Sequence, residues 1–135
     1  MSSLRLLPRE ECFRKLDVTH VGRVAVTDHA LPAIVPVNYL RAGALIIFRT
    51  EPDGMLAKAC NDTVVAFEID GVDADGHAGW SVLVVGVAEL LEGSSALRAV
   101  ETSLVTAAGE GRDQFIAIPV GTITGREIIR DRQFA

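Results

Sequence analysis

Arg23-Val24-Ala25-Val26-Thr27, then Asp28-His29-Ala30-Leu31-Pro32, then the run from Ala33 to Leu40 form the stretch on which the fold turns. The first five residues read as a strand, the next five as a hairpin loop, and the last eight as a returning strand. Pro36 lies inside that second strand. Proline has no donor for a ladder, so it marks an edge, a bulge or a place where the backbone faces a ligand.

The same punctuation continues towards the C-terminus. Arg41-Ala42-Gly43 is the next turn, and Ala44-Leu45-Ile46-Ile47-Phe48 is a third strand, apolar enough to be buried on both faces. Glu51-Pro52-Asp53-Gly54 has strong turn chemistry, and a short helix from about Asp53 to Cys60 follows, with Asp53 able to cap it. Thr63 to Ile69 is a fourth strand, and Asp70 to Gly79 a loop rich in Gly and Asp. Trp80 to Leu91 is a long strand in which Gly86 marks a bend or bulge. A helix then starts at Gly93-Ser94-Ser95, with Leu97, Val100, Leu104 and Ala108 on one face, and ends at Gly109-Glu110-Gly111-Arg112. Phe115 to Val120 and Thr122 to Ile129 are the last strands.

Towards the N-terminus, Pro8 suits a first helical turn and Glu10 and Glu11 suit its positive end. Cys12, Phe13 and Leu16 recur at helical spacing, and the helix should end near Asp17. No internal repeat or linker divides the chain, so residues 1–135 are expected to form one domain. The expected class is mainly β: a closed or nearly closed barrel of six to seven antiparallel strands with two or three short helices.

Composition narrows the function classes. Apolar residues make up 49% and charged residues 23% of the sequence, values of an ordinary globular domain. A formal net charge of −5 argues against a general nucleic-acid or anionic-membrane binder, while leaving room for a local basic pocket. Cys12 and Cys60 have no metal spacing and read as two reduced thiols. The opening MSSLRLLPREE turns charged before any long apolar run develops, and no stretch reaches the ~18 apolar residues of a membrane span. A cytoplasmic location is the expectation.

Chemistry concentrates between Ile46 and Lys58. The strand would fix Arg49 and Thr50 at its exit, and the turn with one helical turn would bring Lys58 back towards them. A guanidinium fork, a hydroxyl, an ammonium and helix N–H groups together suit a phosphate monoester. Spacing alone leaves open the plainer alternative of a surface arginine and lysine with no ligand.

Four pieces, in order, resemble the pyridoxamine-phosphate-oxidase-like family of FMN-binding split barrels over nearly the full length. They are Gly22-Arg23-Val24-Ala25, Pro36-Val37-Asn38-Tyr39, Ile47-Phe48-Arg49-Thr50 with Lys58, and Gly79-Trp80-Ser81-Val82 leading into Gly86. The resemblance implies that Arg49, Thr50 and Lys58 hold the flavin phosphate, with Phe48 in the same piece. It places Val37, Asn38 and Tyr39 near the isoalloxazine and ribityl chain, partly through backbone groups. It also implies a homodimer with two sites across the interface, where Trp80 and Ser81 close the pocket from the second subunit.

A flavin carries its own redox chemistry, so no protein nucleophile is required and no catalytic residue is singled out. The function so implied is an FMN-dependent oxidoreductase acting on a small-molecule substrate or electron donor. The alternatives are an F420-dependent reductase of the same fold or a non-catalytic cofactor-binding or sensing dimer. Two departures matter. The C-terminal Arg126-Glu127-Ile128-Ile129-Arg130-Asp131-Arg132 has no histidine, so vitamin B6 oxidation is not expected, and Glu51 and Asp53 put carboxylates beside the phosphate anchor.

The remaining candidates read as structure. Asp70, Asp73, Asp75 and Gly76 match part of a calcium loop but lack its spaced glutamate, which leaves a solvated hairpin. His20, His29 and His77 have no metal spacing, and Gly109-Glu110-Gly111 does not follow a strand as a dinucleotide fingerprint would. Trp80 and Tyr39 each have a core or interface reading beside the cofactor one.

Overall fold

Period-two burial organises the chain. A computed structural model of the protein describes residues 3–91 and 114–129. The helix expected from Gly93 lies outside these residues. In chain order the elements are β1 (Ser3–Leu6), α1 (Arg9–Val18), β2 (Val21–Asp28), β3 (Leu31–Ala42) and β4 (Leu45–Thr50). They continue with α2 (Met55–Ala59), β5 (Thr63–Val72), β6 (Gly79–Leu91), β7 (Gln114–Pro119) and β8 (Thr122–Ile129). On β2 the buried positions are Gly22, Val24 and Val26, and on β5 they are Val65, Phe67 and Ile69. Each set faces one core while the alternate residues face outwards.

The strands run in the order β1-β8-β6-β5-β2-β3-β4-β7, and a further pairing of β6 with β7 closes six of them into an antiparallel barrel. β8 and β1 extend from β6 outside that ring. The closure depends on β6 changing partners. Its first half, Gly79 to Val85, pairs with β8, and Glu89 to Leu91 pair with β7. Gly86 sits at the handover, where a Cβ would collide with the Pro119 carbonyl oxygen. The chain passing from β7 to β8 is pinned there by Gly121 N–H to the Val85 carbonyl (3.0 Å) and Val120 N–H to the Ala44 carbonyl (2.8 Å). Gly86 thus serves close backbone approach rather than the bend or bulge alone.

β4 is buried on both faces, as its composition requires. Ile46 and Phe48 join the barrel core, whereas Ile47 packs in a second cluster with Phe115 and Ala117. α1 closes one end of the barrel through Cys12 and Leu16, both fully buried. It is fastened by the Arg41 fork on the Asp17 carboxylate, two contacts of 2.8 Å.

Several local details differ from the sequence expectation. β1, a four-residue exposed strand paired with β8, has no hydrophobic alternation to announce it. The hairpin between β2 and β3 is only His29–Ala30, with φ of 50° and 66°, because Asp28 pairs with Leu31 and Thr27 with Pro32. Two successive positive φ angles are the requirement of a tight hairpin, and strand pairing supplies what the sequence there does not favour. α2 is capped by Gly54, not Asp53, which itself stands at φ 61° in the turn. Pro36 is placed at an edge. Tyr39 donates its N–H to the His20 carbonyl, so odd residues of β3 address β2 and even ones face away. The rings of Pro32 and Pro36 therefore point to the side where β3 has no neighbour among the described strands.

Two substitutions test this account by thermal or denaturant unfolding. Gly86→Ala should destabilise by about 2 kcal/mol or more, since backbone cannot yield as a side chain can. Ala30→Gly should stabilise by about 0.5–1 kcal/mol by relieving the left-handed strain, and unchanged stability would contradict the turn assignment.

Candidate functional site

β3 and β4 are paired from Ala42↔Leu45 to Tyr39↔Phe48, and beyond that register they part. Of the residues expected around a cofactor, Asn38, Arg49 and Thr50 stand where the two strands part. Asn38 is exposed on β3, and Arg49 and Thr50 end β4 half-buried, paired with Phe115 and Gln114 of β7. The turn Glu51–Gly54, closed by Gly54 N–H to the Glu51 carbonyl (3.2 Å), links this strand exit to α2. There Leu56, Ala57 and Ala59 are buried and Lys58 is exposed.

Val37, Tyr39 and Phe48 turn their side chains into the core, so they can offer a ligand backbone groups only. Tyr39 has a structural task in addition. Its hydroxyl donates to the Leu16 carbonyl at 2.7 Å, and its ring meets Phe67 edge-on with centroids 4.8 Å apart. Burial pushes its phenol up to about 12, against a smaller opposing effect of the Thr19 hydroxyl, so it remains a donor throughout the neutral range.

Trp80 and Ser81 lie on the other side of the barrel. β5 and β2 separate β6 from β3, a distance of about 14 Å at ~4.8 Å per strand. One chain therefore does not bring them to the fork. Being adjacent on a strand, they also face opposite ways. Trp80 points inwards, its indole laid on Gly71, where a Cβ would stand 2.8 Å from Nε1, and the Lys15 ammonium is 4.3 Å from its ring centre. A shallow cleft of about 300 Å³ runs beside it, bordered by Val72, Gly79, Glu127 and Ile128. Ser81 points outwards, between Asp70 and Arg126 in register.

The outer face holds a charged group that sequence spacing could not assemble. Arg23 Nη1 is 3.2 Å from both Glu68 Oε1 and Asp70 Oδ2. Partial burial and the neighbouring Asp70 carboxylate raise the Glu68 carboxyl above its ordinary range, with Arg23 opposing them. In the β5–β6 loop, Asp73 Oδ1 accepts from the N–H groups of His77 and Ala78, and Asp75 Oδ1 accepts from His77 N–H, so these carboxylates close a turn on their own backbone. Among the described residues no group of three or more His, Cys, Asp or Glu side chains could hold a metal. Cys12 and Cys60 are free and buried, and burial drives the Cys60 thiol up to about 11, which leaves it unreactive.

Residues 8–127 match the sequence model of pyridoxamine 5'-phosphate oxidase. The chain belongs to the pyridoxamine 5'-phosphate oxidase-like family. Within reach of this family lies an uncharacterized protein of Mycobacterium tuberculosis, 33% identical over 130 residues that span 93% of this chain and 86% of the relative. The solved FAD binding protein from Mycobacterium smegmatis is 27% identical with a TM-score of 0.77, covering 93% of this chain and 98% of that one. A FAD-binding protein from Mesorhizobium loti shares the fold at a TM-score of 0.79 and 23% identity, over 96% and 100% of the two chains. No helix among the described residues of this family member is long and apolar enough to cross a membrane.

Replacing Tyr39 by Phe would leave the Leu16 carbonyl without its donor inside the core. The loss should be about 1–3 kcal/mol of unfolding free energy in urea or heat, and a change within error would show that the hydroxyl contributes nothing.

Proposed function

We propose that the protein is a flavin-binding oxidoreductase that works as a homodimer, with the flavin phosphate anchored at the fork between β3 and β4. The observation that carries this reading is the fork itself, with exposed Asn38 and the strand-end pair Arg49 and Thr50; Lys58 is exposed on α2, beyond the turn that follows the strand. Family membership over residues 8–127 and a 27% identical relative described as an FAD binding protein support the choice of a flavin. FMN and FAD share the isoalloxazine, the ribityl chain and the first phosphate, and the anchor addresses that common part. FAD stands beside FMN because of the relative; the sequence alone suggested only FMN or F420.

When bound, the flavin supplies hydride or single-electron transfer. The residues of this chain position it. Arg49 offers a planar fork and Lys58 a point charge to the phosphate, and Thr50 a hydroxyl donor. Asn38 addresses the polar part of the cofactor from β3, joined by backbone groups of Val37 and Tyr39, while Phe48 holds the floor of the fork from within the core. Ser81 or Trp80 of a second subunit would complete the wall, since one chain keeps them about 14 Å away. Glu51 and Asp53 are exposed at the rim and set against the anchor's charge. The reaction partner is a small molecule or electron donor such as a nicotinamide, in the cytoplasm.

Protein purified without added cofactor should be yellow, with the two visible flavin bands, and should quench the fluorescence of added FMN or FAD more strongly than that of F420. A colourless protein that ignores FMN and FAD removes the proposal, and preference for F420 would move it to the deazaflavin. Arg49→Ala with Lys58→Ala should weaken flavin binding by about 100-fold or more, at roughly 1.5–3 kcal/mol per charge-assisted contact. Oxidation of NAD(P)H above background separates an enzyme from a cofactor-binding module.

A further inference from the structure

An acidic turn follows the strand exit of β4 and is held in place beside it. Glu51 adjoins Thr50 in the chain and Asp53 is close behind, and both are exposed. Buried structure fixes each end of this turn. On one side Phe48 is fully buried, and Arg49 and Thr50 stand in register with Phe115 and Gln114 of β7. On the other side Leu56, Ala57 and Ala59 of α2 and the following Cys60 are buried. Between them the ring of Pro52 fixes its own φ, Asp53 stands at φ 61°, and the Gly54 N–H donates to the Glu51 carbonyl at 3.2 Å. The stretch from Thr50 to Asp53 spans at most about 10 Å of chain. That is close to the Debye length of about 8–10 Å in ordinary buffers, so an anion at Thr50 feels both carboxylates.

The signs of charge along this stretch are equal. Arg49 ends β4, and Lys58 stands exposed on α2, its N–H donating to the Gly54 carbonyl of the same turn at 3.2 Å. Glu51 and Asp53 offset both cations, and the β7 partners Gln114 and Phe115 add no charge. A phosphate monoester carries about −1.5 to −2 near neutral pH, whereas a phosphate substituted on two oxygens keeps a single charge. Where the signs cancel, the second charge of a monoester gains nothing from the site yet still loses its hydration. The short-range contacts do not need that charge. A phosphate substituted twice retains two free oxygens, enough for the guanidinium fork of Arg49 or for Arg49 and the Thr50 hydroxyl together.

Resting on the flavin reading above, we propose that Glu51 and Asp53 make this anchor selective for a cofactor whose first phosphate is substituted on two oxygens. FAD and F420 share that chemistry, and FMN, with its monoester, does not. The two carboxylates touch no ligand in this account. They act through charge alone, by cancelling the attraction that would otherwise reward a dianion, while Arg49 and Thr50 make the contacts.

Fluorescence titrations of the full chain with FMN and with the methyl ester formed on its phosphate isolate the effect, because the two ligands differ by one methyl group and one negative charge. The ester should bind the wild type about 5-fold more tightly than FMN. Glu51→Gln with Asp53→Asn removes both carboxylates at nearly unchanged size, and asparagine accepts the positive φ at position 53. That variant should bind FMN about 10-fold more tightly than the wild type does, bind the ester about 3-fold more tightly, and leave riboflavin, which has no phosphate, unchanged. Parallel titrations with FAD and F420 identify which of the two cofactors supplies the phosphate. FMN binding as tightly as its ester, with an affinity that the double variant does not alter, overturns the selectivity and leaves the flavin anchor standing. A chain that binds none of these ligands, riboflavin included, overturns the flavin reading and the selectivity with it.

Discussion

Closure of the barrel hangs on the crossing of two backbones at Gly86. β6 is too long to belong to one pairing: it must run beside β8, then leave it and run beside β7. That exchange needs the segment from Pro119 to Gly121 to pass over β6 at backbone-contact distance, which no side chain at position 86 permits. With the crossing in place, β7 reaches β4 and the core residues Phe48, Phe67, Ile116 and Ile118 share one interior. Without it the same strands would form an open sheet with two unsatisfied edges.

The crossing also determines where chemistry can go. Among the described residues the inward positions are filled by aliphatic and aromatic side chains, which leaves the fork between β3 and β4, the strand exits, the outer face and the cleft beside Trp80 open to a ligand. The fork carries Arg49 and the Thr50 hydroxyl. The outer face carries aliphatic rows with one ion cluster. Trp80 belongs to neither: half-buried, its indole lies on Gly71 with the Lys15 ammonium over it and one side open to the cleft. A cation over an indole of this kind adds about 0.5–1 kcal/mol to fastening the helix.

Much of the architecture was legible because the signals were local. Alternation in Arg23–Thr27 and Thr63–Ile69, the Gly and Asp clusters between runs, and a proline before the acidic first turn of α1 each specify an element within a few residues. The wholly apolar Ala44–Phe48 reported burial on both faces, and the second cluster around Ile47 explains it. What escaped was non-local. β1 is exposed on all four residues and exists only by pairing with β8, more than a hundred positions away. The Arg23–Glu68–Asp70 cluster likewise requires the register of β2 against β5. Arg49 and Thr50 were legible as a charge and a hydroxyl at the exit of β4, but the core role of Tyr39 depends on the Leu16 carbonyl arriving from α1.

The half of β3 that lacks a second neighbour carries Pro32 and Pro36 with their nitrogens turned outwards. An extended strand with free amides is a template on which another strand can grow, and chains that leave one open tend towards fibrous association. Two of the donors such a guest would need have been removed from the middle of this edge. The barrel can therefore leave that side of β3 without a neighbouring strand among the described ones and still not become adhesive.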